Sequence, residues 1–297
     1  MEMEVKPLLI LVTVISVAIL IGTCLVFTPL SSPIDKSPII TAVWTSTASN
    51  SASPLSTVIE GEKIYPTPSP SPIIIATQEQ WELLHPLPPE LRKLLEHGPR
   101  EINQIALTFD ICQSEGDIAG YDAEIVRILK EKQIPATFFL GGLWMRDHVN
   151  ETLELANNPL FELGNHSWSH KDFSHISEEM MDEEILQTQK LMWELLGKQP
   201  QLFRFPYGTY NDTALNVVGE NGLYAIQWDV VSGDPDPNIL AEPMIDWVLQ
   251  QLQPGTIVIM HANGRGWHTA EALPSLIDQL QRDYTFVTIS KLLNITK

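Results

Sequence analysis

Polar residues that can bind a metal or transfer protons follow several apolar segments of this 297-residue sequence. They are Asp110, His166, His170, Arg204, Asp229, Asp234 and His261. His166 and His170 are four residues apart, which places two imidazoles on one face of a helical turn and suits a divalent metal with an open position for water. A carboxylate beside that water can take its proton, and an opposite histidine can protonate a leaving amine. Each residue alone also fits a structural role, such as an aspartate helix cap, but their recurrence favours one reactive site.

The segments that must position these residues alternate between strand and helix patterns. Apolar, β-rich runs predict strands at residues 105–109, 136–140, 161–164, 201–205, 223–228, 256–260 and 285–289. Helical spacing of apolar residues predicts helices at 121–132, 178–196, 212–221, 239–251 and 269–281. Buried strands that alternate with helices predict a parallel α/β sheet or barrel. Because reactive residues in such folds cluster at the carboxyl ends of the strands, we expect the polar residues to meet there.

The net charge and the number of cysteines exclude some classes of partner and of fold. The chain carries 18 Lys and Arg against 37 Asp and Glu, a formal net charge of −19. Such a surface repels phosphate backbones and anionic lipid headgroups, which argues against a nucleic-acid partner. The two cysteines, Cys24 and Cys112, are too few for a disulfide scaffold or a cysteine-rich zinc module.

The N-terminal region has the composition of a membrane anchor. Residues 7–30 carry no charged side chain, and as a helix they would span about 36 Å, enough for a hydrocarbon core of roughly 30 Å. The apolar run exceeds the roughly 7–15 residues of a cleavable signal peptide, so we expect an uncleaved, single-pass transmembrane helix after a short tail at 1–6. A cleaved signal and a lipoprotein processed at Cys24 are the alternatives. The flanking charges are nearly balanced and do not fix the orientation.

A spacer and a lead-in segment separate the anchor from the α/β region. Residues 31–75 are rich in Pro, Ser and Thr, a composition that predicts an extended, disordered linker. Residues 76–103 form a lead-in segment, in which an amphipathic stretch at 81–97 predicts a helix. The domain that holds the reactive residues is expected at 104–297.

Four short motifs in the α/β region resemble those of the polysaccharide deacetylases, the NodB-homology domains of carbohydrate esterase family four. They are TFD at 108–110, HSWSH at 166–170, RFPYG at 204–208 and IVIMH at 257–261. Their order and spacing match over about residues 104–293. The resemblance implies an α/β fold with a distorted (β/α) barrel. It also implies metal-dependent removal of N- or O-acetyl groups from a glycan by attack of a metal-bound water.

The resemblance implies roles for the residues around the metal. Asp110 matches the catalytic base of the family. His166 and His170 match its two histidine metal ligands. Arg204 matches the arginine that orients the base, and Asp234 resembles the acidic partner of that arginine in the fourth motif.

The resemblance further implies a proton donor and a substrate pocket. His261 matches the general acid that protonates the leaving amine. The backbone N–H of Tyr207 would help to hold the tetrahedral oxyanion, and Ile259 would line the acetyl pocket. Zinc is the expected metal, with cobalt and nickel as alternatives, because imidazole and carboxylate donors accept several divalent ions. Four aromatic residues fit either stacking on sugar rings or a place in the core: Trp144, Tyr207, Tyr210 and Trp267.

This sequence departs from the family pattern at the third metal ligand. The family has two consecutive aspartates, the base and then a ligand, but the residue after Asp110 is Ile111. The third ligand is therefore Asp110 itself or a carboxylate in the following segment, unless no metal binds. Cys112 is either a soft ligand or a buried bystander, and Val231 and Pro235 stand where the fourth motif usually has Asp and Trp. The candidate carboxylates are Glu115, Asp117 and Asp122, of which Asp122 also fits the first turn of a helix.

Together these features predict a membrane-anchored, extracytoplasmic deacetylase that acts on an acetylated glycan polymer of the envelope or the extracellular space. The anchor and the linker favour a polymer over a small amide, which is a third hypothesis. The alternative is a glycan-binding protein with the deacetylase fold and no metal. Ile111 supports this alternative, whereas the retained base, histidines, arginine and general acid oppose it.

Overall fold

The computed structural model describes residues 82–295, which contain nine strands and eight α-helices. The strands are β1 (Leu94–Leu95), β2 (Gln104–Ile111), β3 (Ala136–Leu140), β4 (Phe161–Asn165), β5 (Leu202–Phe203), β6 (Tyr224–Ile226), β7 (Val230–Val231), β8 (Ile257–His261) and β9 (Thr285–Phe286). The helices are α1 (Ala123–Glu131), α2 (Gly142–Asp147), α3 (Val149–Ala156), α4 (Glu178–Leu196), α5 (Asp212–Glu220), α6 (Ala241–Gln251), α7 (Thr269–Leu280) and α8 (Ile289–Leu292). The predicted strands and helices of the α/β region are confirmed, whereas β1, β7, α2, α3 and α8 were not predicted.

Three predictions concern the N-terminal region. The predicted tail at 1–6, transmembrane helix at 7–30 and linker at 31–75 lie outside the described residues. Within residues 82–295, none of the helices has both the length and the apolar character needed to cross a membrane.

A parallel sheet forms the centre of the structure. Its strands lie in the order β1-β6-β5-β4-β3-β2-β8-β7, and β9 pairs with the beginning of β2 beside this path. Between residues 82 and 295 no ladder joins the edge strands β1 and β7. The expected distorted barrel is therefore observed as a curled half-barrel of parallel strands.

The alternation of side chains along β2 separates the two faces of this sheet. Its odd-numbered residues, including Ile111, pack in a large apolar cluster with residues of α1, α6 and α7. On the other face, Ala106 joins a separate cluster with Phe139 and Ile257. Because neighbouring side chains in a strand point to opposite faces, Asp110 faces the inside of the curl and Ile111 faces the helices.

The register of the central strands places the reactive residues at one edge. Asp110 of β2 lies opposite His261 of β8. On the other side of β2, β3 pairs with β4, whose last residue, Asn165, directly precedes His166. All of these strands are parallel, so their carboxyl ends meet at the same edge of the sheet.

Helix α4 has the bounds predicted from the sequence because both of its ends carry strong signals. The Ser177 side chain accepts a hydrogen bond from the Met180 backbone N–H and caps the first turn. At the other end, Gly197 adopts the left-handed conformation that terminates many helices (φ 63°).

The helix predicted at 81–97 is wrong over the described part of that stretch. Residues 82–97 form a single 3₁₀ turn at Pro89–Leu91 and then β1, which pairs with β6. Pro86 and Pro88 explain the difference, because each lacks the backbone N–H that a helix interior requires. The lead-in segment thus contributes a strand to the sheet.

Candidate active site

A buried ion pair between Asp110 and Arg204 lies at the carboxyl end of the sheet. Arg204 Nη1 donates to Asp110 Oδ1 at 2.8 Å and to Thr108 Oγ1 at 2.9 Å. Burial raises the pKa of Asp110, but the positive charge of Arg204 and its hydrogen bond outweigh this effect and hold the pKa below its usual value. Asp110 is therefore an ionised carboxylate at neutral pH.

The rings of His166 and His170 lie beside each other on the loop that follows β4, with centroids 5.0 Å apart. His166 Nδ1 lies 2.8 Å from the backbone oxygen of Arg204. A carbonyl oxygen can only accept a hydrogen bond, so this nitrogen carries the proton and Nε2 is left with a lone pair. The helical turn inferred from their spacing is wrong, because the segment is a loop with positive φ at Ser167 (65°) and His170 (60°). The loop, rather than a helix face, brings the two rings together.

Two buried polar side chains hold this loop in place. Asn165 Oδ1 accepts the backbone N–H of Ser167 at 2.8 Å. Glu184 of α4 accepts the backbone N–H of Ser169 at 2.7 Å and the ammonium group of Lys171 at 2.9 Å. The positions of the two histidine rings therefore depend on a carboxylate of α4, the helix that follows this loop.

The side chain of Cys112 reaches the same place as the two histidines. Its Sγ and one ring nitrogen each of His166 and His170 all lie within 4.8 Å of one another. Burial raises the pKa of the Cys112 thiol to about 12, and burial lowers the pKa of His170 to about 3. His170 is thus a neutral imidazole, the form that binds metals. In the described part of the chain, this is the one group of three His, Cys, Asp or Glu side chains with such spacing.

At the end of β8, His261 is held by the buried carboxylate of Asp234. His261 Nδ1 lies 2.9 Å from Asp234 Oδ1, and its backbone N–H donates to Oδ2 at 2.7 Å. The hydroxyls of Ser232 and Thr269 donate to the same carboxylate at 2.9 and 2.8 Å. Burial lowers the pKa of His261, but the contact with Asp234 outweighs it and the pKa is raised. Asp234 was expected to pair with the site arginine and instead pairs with His261.

These groups line one pocket of about 320 Å³. All of the residues to which the family resemblance assigns a role contribute to its wall except Arg204, which is fully buried behind Asp110. Ile259 and the two residues that depart from the fourth motif, Val231 and Pro235, also line it. The pocket wall therefore differs from the family pattern on the side of the fourth motif.

Tyr207 forms part of the rim of this pocket. Its side chain is exposed, and its ring meets the ring of His170 edge-on with centroids 4.4 Å apart. Its backbone has a φ of 59°, in the left-handed region that few residues other than glycine adopt. Such strain in a non-glycine residue is frequent at functional sites.

Two residues that the sequence singled out have structural contacts instead. Asp229 accepts hydrogen bonds from Arg100 Nη2 at 2.7 Å and from the backbone N–H of Ile257 at 2.8 Å, and it does not line the pocket. Trp144 is fully buried, and its Nε1–H donates to the Gly120 backbone oxygen at 2.9 Å. Trp144 therefore belongs to the core and is not a sugar-stacking residue.

Several supporting residues were not predicted. They are Thr108 behind the ion pair, Glu184 beneath the histidine loop, and Ser232 and Thr269 around Asp234. Local signals existed for two of them: a serine two residues before an aspartate, like Ser232, often closes a turn, and Thr108 lies two residues before Asp110 on β2 and so shares its face. Glu184 and Thr269 lie on the helices α4 and α7, and no local pattern links them to the site.

Residues 97–226 match the sequence model of the polysaccharide deacetylases. The chain is also 30% identical over 204 residues to a peptidoglycan-N-acetylglucosamine deacetylase of Bacillus cereus, an alignment that covers 66% of this chain and 90% of that relative. The chain belongs to the polysaccharide deacetylase family. The family resemblance inferred from the four motifs is confirmed.

Other proteins similar to this chain carry different descriptions. The chain is 29% identical over 181 residues to the uncharacterized protein YlxY of Bacillus subtilis, covering 60% of this chain and 54% of that protein, about half of its length. The Bc1960 peptidoglycan N-acetylglucosamine deacetylase superposes with a TM-score of 0.63 at 27% identity, over 69% of this chain and 94% of that one. A Bacillus anthracis protein described as a pseudoenzyme of carbohydrate esterase family four superposes with a TM-score of 0.61 at 23% identity, over 68% of this chain and 69% of that one. At this identity, the likeness shows a shared fold alone.

Proposed function

We propose that this protein removes N-acetyl groups from an envelope or extracellular polysaccharide in a reaction that requires a bound divalent metal. One observation carries the proposal: an ionised carboxylate, two adjacent imidazoles and a carboxylate-paired histidine surround a single pocket. Hydrolysis of an amide needs a base, a polarised carbonyl and an acid for the leaving amine. A site that only bound a glycan would have no use for this set.

The donor atoms of the site fit such a metal. His166 and His170 present neutral imidazoles. His166 Nδ1 donates to the Arg204 backbone oxygen, which leaves His166 Nε2 for the metal. When bound, the metal polarises the acetyl carbonyl and makes water nucleophilic at neutral pH. We propose zinc, with cobalt and nickel as alternatives, because imidazole donors suit all three ions.

The remaining steps belong to side chains of this chain. Asp110, with Oδ1 held by Arg204, accepts the proton of the attacking water as general base. His261 donates a proton to the departing amine, and Asp234 keeps it protonated by raising its pKa. The backbone N–H of Tyr207 stabilises the oxyanion.

The rest of the pocket accommodates the acetyl group, and the N-terminal region determines where the reaction takes place. Ile259 lines the pocket, and we assign it to the acetyl methyl. We further propose that residues 7–30 anchor the chain in a membrane and that the linker at 31–75 extends the catalytic domain outside the cytosol. Peptidoglycan is the first polymer to test, because the Bacillus cereus relative and Bc1960 are both named as peptidoglycan N-acetylglucosamine deacetylases.

The test is release of acetate from peptidoglycan and from N-acetylated sugar oligomers by the zinc-loaded full-length protein. We expect acetate from the wild-type protein and none above background from Asp110→Asn, which keeps the volume of the side chain and removes the base. Ile111 favours the second candidate, a glycan-binding protein without activity. Retention of glycan with no acetate from the metal-loaded wild-type protein would establish that candidate instead.

A further inference from the structure

The side chain at position 111 lies on the wrong face of the sheet to reach the pocket. Strand β2 continues through Ile111, which pairs in register with Leu140 of β3. The Ile111 side chain is fully buried in the apolar cluster beneath the helices. Alternation along the strand then directs the next side chain, Cys112, to the same face as Asp110.

The carboxylates that could replace the missing ligand are engaged elsewhere. Glu115 lies 3.6 Å from Lys171 Nζ with three quarters of its side chain exposed (75%). Asp117 lies 3.3 Å from Arg265 Nη2 and is also exposed. These two carboxylates form surface ion pairs and lie outside the three-donor group.

Two other carboxylates near the site also have fixed partners. Asp122, at the start of α1, accepts the backbone N–H of Gly264 at 2.8 Å. Asp110 Oδ1 accepts from Arg204 at 2.8 Å, and its Oδ2, 3.5 Å from His166 Nε2, is required as the base of the proposed reaction. Neither belongs to the group of three donor atoms.

Cys112 Sγ is the third donor beside the two histidines, and its position is fixed by its neighbours. Asn263 Nδ2 donates to the Cys112 backbone oxygen at 2.8 Å and lies 3.6 Å from Sγ. A Cβ at Gly141 would lie 3.2 Å from the Cys112 Cα, so the backbone is closely packed on that side as well. A hydrogen bond to a ligating sulfur is one of the contacts that orient and tune metal ligands.

We propose that Cys112 is the third protein ligand of the metal, so that a His₂Cys set replaces the His₂Asp set of the family. The inference rests on the proposed function, which requires the metal. The thiol proton is released to solvent as the sulfur binds the metal. A thiolate and two imidazoles favour zinc or cobalt over magnesium or calcium and leave a fourth position open for water.

The test is the absorption spectrum of the full-length protein loaded with Co²⁺ alone. A thiolate ligand produces an intense near-ultraviolet charge-transfer band that imidazole and carboxylate ligands do not. We expect this band in the wild-type protein and in Cys24→Ser, in which Cys112 is the only remaining cysteine. We expect Cys112→Ser to lose the band. Its affinity for Co²⁺ should fall by more than the roughly 10- to 100-fold that is typical when a residue contacting a metal ligand is lost.

One further variant and two outcomes decide between the thiolate ligand and the proposed function on which it rests. Cys112→Asp, which restores a carboxylate, should bind Co²⁺ without the band even if the serine variant folds poorly. Binding of Co²⁺ to wild type and Cys24→Ser without the band would overturn the thiolate ligand and leave the proposed function standing. Failure of every variant, including wild type, to bind Co²⁺ or Zn²⁺ would overturn both.

Discussion

Replacement of Asp234 by asparagine tests how the proton donor of the site is prepared. The buried carboxylate accepts four hydrogen bonds, two of them from His261 at 2.7 and 2.9 Å. Asparagine keeps the shape but removes the negative charge, and its amide group cannot accept from every donor that now surrounds it. The protonated form of His261 therefore loses its counter-ion.

The structure sets both the sign and the size of the effect. The pKa of His261 is raised by Asp234, so the general acid stays protonated to higher pH than an isolated imidazole. An opposite charge at this distance typically shifts a pKa by about 1–3 units. In Asp234→Asn we expect the alkaline limb of the kcat/KM profile to move to lower pH by about that amount, with a loss of about 10-fold or more above the new limb.

The assay is acetate release from an N-acetylated glycan oligomer measured across the pH range, with the histidine signals followed by NMR. Ser232→Ala is the matched control, because it removes the hydrogen bond from Ser232 Oγ at 2.9 Å and leaves the carboxylate–imidazole pair intact. Its alkaline limb should stay close to that of the wild-type protein. A uniform loss of rate in Asp234→Asn, with the alkaline limb unmoved, would refute the assignment of His261 as the acid tuned by Asp234.

Three other outcomes follow from the same contacts. Arg204→Met leaves Asp110 charged and buried, so the free energy of unfolding in urea should fall by about 3–5 kcal/mol; a loss under about 1 kcal/mol, as for exposed pairs, would contradict a buried pair. Ile111→Asp places a carboxylate among apolar side chains, so it should lower the free energy of unfolding by several kcal/mol without raising the affinity for zinc. Tighter zinc binding at unchanged stability would disprove the assignment of the residue 111 side chain to the helix-covered face of the sheet. Zinc at about 100 times its dissociation constant should raise the free energy of unfolding of the wild-type protein by about 2.7 kcal/mol, and the same increase in His170→Ala would show that the metal binds elsewhere.

The order of strands and helices could be read from the sequence because the apolar runs are strong and well separated. The strand at 136–140 and the helix at 178–196 were predicted with the observed bounds. The helix expected at 81–97 failed because an amphipathic pattern says nothing about the backbone donors that Pro86 and Pro88 lack. A stretch that cannot complete a helix pairs instead with a strand more than a hundred residues away.

The identity of most site residues could be predicted from the sequence, but their hydrogen-bond partners could not. Asp110 and His261 were identified from their positions after strands, which the parallel register then brings together. The pairing of Asp234 with His261 rather than with the arginine depends on how the loop after β7 folds, and no local pattern encodes it. The inward direction of Cys112 depends on the length of β2, since ending the strand one residue earlier would change which side chains face the pocket.

The proposed function is tested most directly by a titration of the metal-free full-length protein with zinc while acetate release from a glycan substrate is followed. We expect a rate that rises in proportion to added zinc and stops rising at one equivalent. We expect no rise in His170→Ala. A protein that binds one equivalent of zinc and the glycan but releases no acetate at any point of the titration would contradict the claim that this site is a deacetylase.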